Sequence, residues 1–479
     1  ALKSAATDAE VRRFYKVNGW HAVWSEQAGR ALEEALAQRS AHGLDRIAFL
    51  DKPLDLQRPV DREIMLTRAA LHYAMALASG WTDPAELHQI YTLARPKLDL
   101  RTSLSRALDR GALAQWFAGL APQDKDYAIL SKAYLAFRKE ALLPSRPALG
   151  SSAIIQPGDD DIRIPAIRQQ LAEGDYLPPQ EGPTATANPA ADRDPVSVTY
   201  EPDLVAAVKI LQRDFGIAAD GVIGPDTLAL LNLRPGDRAQ ALAVALERRR
   251  WLARKPPATR IDVNIAAARL TYYRDGIVVD HRKVIVGRPG NETPQLLAPI
   301  YRLVANPTWT IPRSIQRGEM AGVSRAYLRS HNMVRRGGWI VQKSGPGNAL
   351  GQVKFDMHDD QAIYLHDTSA PSLFARSERH LSHGCVRVDD ALGFASLIAE
   401  DQGVTEKWTR AQNSGRQTFV ALPHSIPVRL IYQNVFVDDA SKVSFRTDPY
   451  AWNGPVAAAL GFDNRSNAKA RPEAIEVGP

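Results

Sequence analysis

The apolar residues of this 479-residue chain change their spacing once, near residue 259, and that change limits the fold more than any single motif. Before it they recur at three- and four-residue intervals, as in Leu32, Ala35 and Leu36 or Ile64, Leu66, Leu71 and Met75, the period of a helix with one buried face. After it, Ile261 to Ile265, Arg269 to Tyr273, Ile277 to Val279, Lys283 to Val286 and Tyr301 to Val304 read as short strands, with Arg274-Asp275-Gly276 as a hairpin turn. Strand patterns return at Ala362 to His366, Thr418 to Ala421 and Val428 to Val437. The expectation is a multidomain α+β protein. Single cores stop growing at about 250 to 300 residues, so a chain of this length should hold about three domains.

Punctuation divides the helical part. Residues 1–150, broken at Gly43, Pro53, Pro84, Pro96 and Pro122, read as a helical scaffold. Pro144 to Asp161 reads as a linker, and residues 151–235 as a small three-helix module. Its first helix is Ile164 to Ala172; Leu177 to Pro195, with five prolines, reads as an exposed loop. Leu204, Val208, Leu211 and Phe215 share a face of the second helix, which stops at Gly216. The turn Asp220-Gly221-Val222-Ile223-Gly224-Pro225-Asp226-Thr227 leads to a third helix, Leu228 to Leu231, with Asp226 as its expected cap. Residues 236–258 predict a helix returning to the scaffold. Residues 259–437 form the mainly β domain, with an insertion at about 313–350, and 438–479 are a C-terminal extension. Within the insertion, Arg313 to Val341 is Arg-rich and helix-like; bounded by Pro312 and the Gly345 to Gly351 stretch, it reads as a lid.

The charge balance, 60 Lys+Arg against 53 Asp+Glu, gives +7, a mildly basic surface. No basic run interleaves with aromatics, so nucleic acid is not expected as a partner. No uncharged apolar stretch reaches the ~18 residues of a membrane span. The chain begins at Ala1 rather than Met, and the reading is of an exported protein of the periplasm or cell envelope whose N-terminal signal or inner-membrane anchor has been removed. The one cysteine, Cys385, excludes an intramolecular disulfide and a CxxC centre.

That cysteine lies in the most informative stretch. Ala362-Ile363-Tyr364-Leu365-His366-Asp367 is followed, after His366, by fifteen residues and then Ser382-His383-Gly384-Cys385-Val386-Arg387-Val388. Strand alternation sends Tyr364 and His366 to one face and Ile363 and Leu365 to the other. Asp389 is the expected cap of an apolar helix from Ala391 to Ala399, which would put Cys385 near a helix start, where backbone N–H groups lower a thiol pKa and bind an oxyanion. A cysteine nucleophile needs a base, a group orienting that base and oxyanion donors, and this stretch can supply all three. The residues alone leave His366 and His383 competing as base. A metal cluster of His358, His366, His380 and His383 among Asp356, Asp359, Asp360 and Asp367 is disfavoured, because Pro371 and the Ser382/Gly384 turn interrupt any helix that could present them.

A strand histidine followed after nineteen residues by the cysteine of Ser-His-Gly-Cys, with arginine two residues on, closely resembles the L,D-transpeptidase family. Thr293-Pro294, Asn306 to Pro312, and Gly345 to Gly351 followed by Lys354-Phe355 resemble its long multidomain branch, and the DGxxG turn with its flanking helices resembles a peptidoglycan-binding module. The resemblance implies Cys385 as nucleophile, His366 as base oriented by the backbone carbonyl of Asp367, and N–H groups of Gly384 and Cys385 for the oxyanion, with a side chain at 384 obstructing the substrate carbonyl. It implies that Ser382, His383 and Arg387 shape the site and that Tyr364 and Trp309 line it; an Arg387 ion pair with Asp389 or Asp390 is the competing reading. It further implies a three-to-three crosslink between peptidoglycan stem peptides, carbapenems and related β-lactams as inhibitors, peptidoglycan stem peptides and glycan as partners, and no metal or organic cofactor. The alternatives are an L,D-carboxypeptidase or crosslink-cleaving enzyme, an enzyme attaching proteins to peptidoglycan, and a non-catalytic peptidoglycan-binding protein.

Overall fold

The computed structural model describes residues 1–50, 58–144, 146–150, 153–177, 197–318 and 320–463. Most of the loop expected at Leu177 to Pro195, and the end of the C-terminal extension, lie outside the described residues.

The chain is a multidomain protein in which helices precede a mainly β domain. One core gathers Phe14, Leu66, Tyr73, Phe117 and Tyr134 of the N-terminal helices. The helix Pro235–Trp251 is buried in it through Leu242, Leu246 and Trp251, and its C-terminal half also buries the charged side chains of Glu247, Arg248 and Arg250. Val456, Ala457 and Leu460 of the helix Asn453–Ala459 close the same core, so the C-terminal extension returns to the scaffold. Buried Arg248 fixes that return by donating to Asn434 Oδ1 (3.1 Å) and Asn453 Oδ1 (2.6 Å).

A second core holds the helices Ile164–Glu173, Pro202–Phe215 and Pro225–Leu231. Leu149 and Ile155 are buried in it, and Ile155 bridges Ile223, so part of the expected linker is structural. The third helix starts earlier than its apolar run suggests. Gly224 is its cap position and Pro225 its first residue, whose fixed φ suits a helix start; Asp226 lies in the first turn and is not the cap.

The β domain contains β1 (Arg260–Asn264), β2 (Arg269–Arg274), β3 (Ile277–Gly287), β4 (Leu296–Ala305), β5 (Trp309–Thr310), β6 (Met333–Arg336), β7 (Trp339–Gln342), β8 (Val353–Met357), β9 (Leu365–His366), β10 (His380–Ser382), β11 (Val386–Val388), β12 (Thr418–Ile431), β13 (Val435–Val437) and β14 (Val443–Phe445). Strands pair in the order β3-β11-β9-β8-β4-β12-β1-β2, and β2 pairs again with β3, so the sheet closes on itself and leaves no free edge in that ring. β10 adds to β3 in parallel. Asp275 and Gly276 both take positive φ (52° and 83°), the conformation a tight β2–β3 hairpin requires. β3 and β12 are each one long strand where the sequence pattern suggests two, because irregular register at Tyr272/Tyr273 and Ala421/Ile426 breaks the alternation without breaking the ladder. Leu365, Val386 and Val388 point into a core completed by Phe394, Ile398 and Trp408 of the helices Ala391–Asp401 and Thr405–Asn413.

The insertion is not the helical element its Arg-rich sequence suggests. Two short helices, Arg313–Arg317 and Arg325–Ser330, precede the β6–β7 hairpin, which pairs with β5 to make a separate three-stranded sheet. Ile311, Ile315, Leu328 and Ile340 form its own small core, which Trp309 and Leu350 close from the β domain.

Candidate active site

β9 and β11 run parallel, with Leu365 opposite Val386 and His366 opposite Arg387. Val386 N–H donates to Tyr364 O (3.1 Å), which brings Cys385, one residue earlier, beside Tyr364. Only Leu365 and His366 of the expected strand from Ala362 pair, since Ala362 takes a positive φ of 57°. The alternation survives: Tyr364 and His366 rings lie 5.6 Å apart on one side, while Leu365 is in the core with Ile363 packed against it.

His366 is buried, and its Nδ1 lies 2.5 Å from the Asp367 carbonyl oxygen. A carbonyl only accepts, so Nδ1 carries the proton and a neutral ring keeps the Nε2 lone pair free for a proton. Burial, then the Arg387 charge, pushes the imidazole pKa down to about 3, so the ring is neutral at pH 7. The Asp367 carboxylate is turned elsewhere: Oδ2 accepts Gln352 N–H (2.8 Å).

Cys385 occupies the turn between β10 and β11 and is half-buried. Its Sγ lies 3.8 Å from the Ala362 carbonyl oxygen. The turn is not a helix start. The following helix begins at Ala391, and its cap is Asp390, whose carboxylate accepts Gly393 N–H, rather than Asp389. Burial accordingly raises the thiol pKa instead of a helix terminus lowering it, opposed by Tyr364 and by the Lys354 and Arg387 charges.

The turn is held from both sides. Ser382 Oγ donates to Cys385 O (2.6 Å) and accepts Gly384 N–H (3.1 Å). The Gly384 N–H is therefore occupied, whereas Cys385 N–H has no acceptor among the described residues. Gly384 has φ +115°, which favours glycine, yet a Cβ there would meet Ile363, Asn291 and Glu292 only at ordinary contact distance, 3.6 Å or more; the backbone, not crowding within this chain, asks for glycine. Behind the turn, buried Thr293 Oγ1 donates to Gly384 O (2.7 Å) and accepts Gly287 N–H (2.8 Å). Tyr450 Oη donates to Gly287 O (2.5 Å) and accepts Thr293 N–H (3.2 Å). The C-terminal segment thus supports the loop on which the cysteine turn rests.

Around the thiol, Tyr364 has Cys385 and Trp309 as hydrogen-bonding neighbours, and burial raises its hydroxyl well above the usual tyrosine range. Lys354, opposite His366 in β8, places Nζ 4.2 Å from the Tyr364 ring centroid and 2.7 Å from Asp356 Oδ1. Arg387 is buried and makes no ion pair among the described residues; its Nε has no hydrogen-bond partner, and Asp390 instead pairs with Arg282. His383 Nε2 lies 3.1 Å from Arg288 Nη2. His380 Nε2 meets Ile265 O (3.0 Å) and the His358 ring stacks on Tyr301 at 3.9 Å, so the histidines diverge, and no group of three or more His, Cys, Asp or Glu among the described residues could hold a metal ion.

Lys354, Thr293 and Tyr450 belong to this site; the sequence offers Thr293 and Lys354 only within stretches resembling the family, with no role at the site, and Tyr450 not at all. Lys354 could have been found by pairing β8 against β9 from the alternation of Lys354 and Phe355; Tyr450 carries no sequence signal linking it to residue 293.

Residues 258–407 match a family model described as an L,D-transpeptidase catalytic domain, residues 9–133 one described as a scaffold domain, and residues 166–231 one described as a putative peptidoglycan binding domain. A putative L,D-transpeptidase of Haemophilus influenzae is 30% identical over 223 residues, an overlap covering 42% of this chain and 45% of that protein, so less than half of the relative is spanned. Among solved structures, an L,D-transpeptidase from Mycobacterium smegmatis is 13% identical over 36% of this chain and 58% of its own, with a TM-score of 0.20. An L,D-transpeptidase from Stackebrandtia nassauensis is 15% identical over 60% and 97%, with a TM-score of 0.24.

Proposed function

We propose, for a chain that belongs to the L,D-transpeptidase family, that it is an exported peptidoglycan L,D-transpeptidase in which the Cys385 thiol attacks the carbonyl of the third residue of a donor stem peptide. The observation that carries this reading is the single proton arrangement at His366: Nδ1–H is held by Asp367 O, so Nε2 is the base. His383, whose Nε2 faces the Arg288 guanidinium, is the poorer candidate.

With the thiol raised by burial and the imidazole held neutral, both groups are uncharged before reaction. Proton transfer from Sγ to Nε2 then accompanies C–S bond formation. The unoccupied Cys385 N–H is the oxyanion donor in place, while Gly384 N–H would have to leave Ser382 Oγ to join it. The imidazolium returns its proton to the departing amine of the terminal D-alanine, leaving a thioester. The side-chain amine of the third residue of a neighbouring stem attacks that thioester, gives its proton to His366 and leaves a three-to-three crosslink with the thiol restored. Buried Arg387, without a carboxylate partner, and Lys354 supply positive charge near the reacting groups, suited to a substrate carboxylate.

The insertion supports transfer over hydrolysis. Its core closes on Trp309 and packs against Tyr364, so it stands over the aromatic wall of the cleft, where it can exclude water from the thioester. β-Lactams, carbapenems among them, fit the same chemistry as strained acyl donors to the thiol. The periplasm or cell envelope is the compartment where the substrate lies; among the described residues no helix is long and apolar enough to cross a membrane.

Mass spectrometry of muropeptides incubated with the purified protein tests this. A crosslinked dimer is expected. Trimmed tripeptide alone would make the protein a carboxypeptidase, and unchanged muropeptides would overturn an enzymatic role.

A further inference from the structure

A cavity of about 920 Å³, apart from the thiol cleft, lies where scaffold, three-helix module and β domain meet. Its walls come from the helix Lys125–Glu140, from Tyr176, Asp214 and Phe215 of the module, from β3 and from the β13–β14 hairpin. That volume is in the range of a ligand with several rings or residues.

Its charges are out of balance. Arg238 and Lys283 form no ion pair among the described residues, and Arg238 Nε is buried without a hydrogen-bond partner. Arg379 donates only to carbonyls, those of Val284, Ala268, Arg376 and Ser377; Arg446 donates only to the carbonyls of Asp214 and Phe445. Two further cations, Arg269 and Arg282, are matched by Asp439, Asp280 and Asp390. Asp214 faces Arg446, which leaves Arg238, Lys283 and Arg379 without a carboxylate ion pair among the described residues, and the Asp438 carboxylate is spent on its own loop, accepting from Ala440, Lys442 and Ser444. Burial pushes the Arg379 guanidinium down, and the neighbouring Arg446 charge pushes it further; burial also pushes Arg446 down, opposed by Asp214 and Tyr176 and then aided by Arg269. Lys283 is exposed, but Arg238, Arg379 and Arg446 are half-buried, and like charges gathered in a partly desolvated space cost free energy that a bound anion would recover. Aromatic faces lie among them, with Arg238 over Phe137 at 5.5 Å and Arg446 over Phe436 at 5.4 Å.

From this arrangement we infer that the cavity is a second binding site, for a carboxylate-bearing glycopeptide of peptidoglycan, separate from the cleft at Cys385. The unmatched guanidinium and ammonium groups take stem-peptide carboxylates, and the rings pack against sugar faces. The choice of glycopeptide rests on the function proposed above; the anionic character of the ligand rests on the cavity alone. β3 joins the two sites: Arg282 and Lys283 line the cavity, and Gly287, further along the strand, receives the Thr293 and Tyr450 contacts behind the cysteine turn. A strand held at this site would therefore lie alongside the catalytic domain while its stem, or that of a neighbour, reaches the thiol.

The lone cysteine makes the test clean. The full chain, alkylated at Cys385 with iodoacetamide so that the cleft is filled, is titrated calorimetrically with a disaccharide-tripeptide, and in parallel with inorganic phosphate. The alkylated chain should bind the glycopeptide with the affinity of the untreated chain. The Arg238→Gln/Lys283→Gln variant, which breaks no ion pair, should bind it at least about tenfold more weakly. Binding abolished by alkylation would place the ligand in the catalytic cleft and overturn the inference, as would equal affinity of the variant. Phosphate binding as tight as the glycopeptide would reduce the cavity to a general anion site and overturn the glycopeptide assignment. Failure of the proposed transpeptidase activity would appear separately, as unchanged muropeptides with the untreated protein, and leaves this titration readable.

Discussion

Thr293 offers the sharpest perturbation of the cysteine turn, because it is fully buried, touches neither thiol nor imidazole, and has an isosteric apolar replacement. In Thr293→Val, Gly384 O loses its donor and Gly287 N–H its acceptor, both in the interior. An orphaned buried polar group costs about 1 to 3 kcal/mol, so the two together cost about 2 to 6 kcal/mol. At about 2 to 4 °C per kcal/mol for a domain of this size, a loss near 3 kcal/mol lowers the melting temperature by about 6 to 12 °C. Thr293→Ser keeps the hydroxyl and loses one methyl, about 0.8 kcal/mol, and serves as the control. Scanning calorimetry measures the first effect; stopped-flow acylation by a carbapenem, well below the melting range, measures the second. Valine should slow acylation at least about tenfold, since the turn carrying Cys385 loses its rear support, and serine should restore most of the rate. A valine variant with wild-type melting and wild-type acylation would refute the claim that this loop holds the nucleophile.

Three further outcomes follow from the site. The raised thiol predicts that iodoacetamide alkylation of Cys385 rises about tenfold per pH unit from pH 6 to 8, because the thiolate fraction grows that way below the pKa; a plateau with a midpoint under pH 7 would show a preformed thiolate instead. His366→Ala should lose about 10² to 10⁴ in turnover and His383→Ala less, in the same muropeptide assay; the reverse order would move the base to His383. Leu328→Ala hollows the insertion core at a cost of about 2 to 5 kcal/mol, and should raise the ratio of trimmed tripeptide to crosslinked dimer while carbapenem acylation persists; a fixed ratio would place acceptor selection elsewhere.

What could be read from the sequence depended on whether the physics was local. The switch from helical to alternating spacing carried the α+β architecture, because burial of one face repeats with the period of the element itself. Helix caps were misplaced at Asp226 and Asp389: Pro225 starts the first helix directly after Gly224 and leaves Asp226 inside its first turn, and in the second a carboxylate one residue on, Asp390 in the left-handed region, reads equally well and is the cap. In the insertion, the β6–β7 hairpin was hidden because Arg335, Arg336 and Trp339 are exposed and leave little alternation to read. Cys385, His366 and Tyr364 were legible as a motif. Their supports were not, because Lys354 reaches the site through strand register, and Tyr450 through a fold-back of the C-terminal segment that buries Val456 and Leu460 in a distant core.

The central claim is a covalent acyl-enzyme at the chain's one thiol. Intact-mass measurement after exposure to a carbapenem tests it most directly: the account predicts one drug per wild-type chain and none on Cys385→Ala, and an unmodified wild-type chain, or drug retained by the alanine variant, would contradict it.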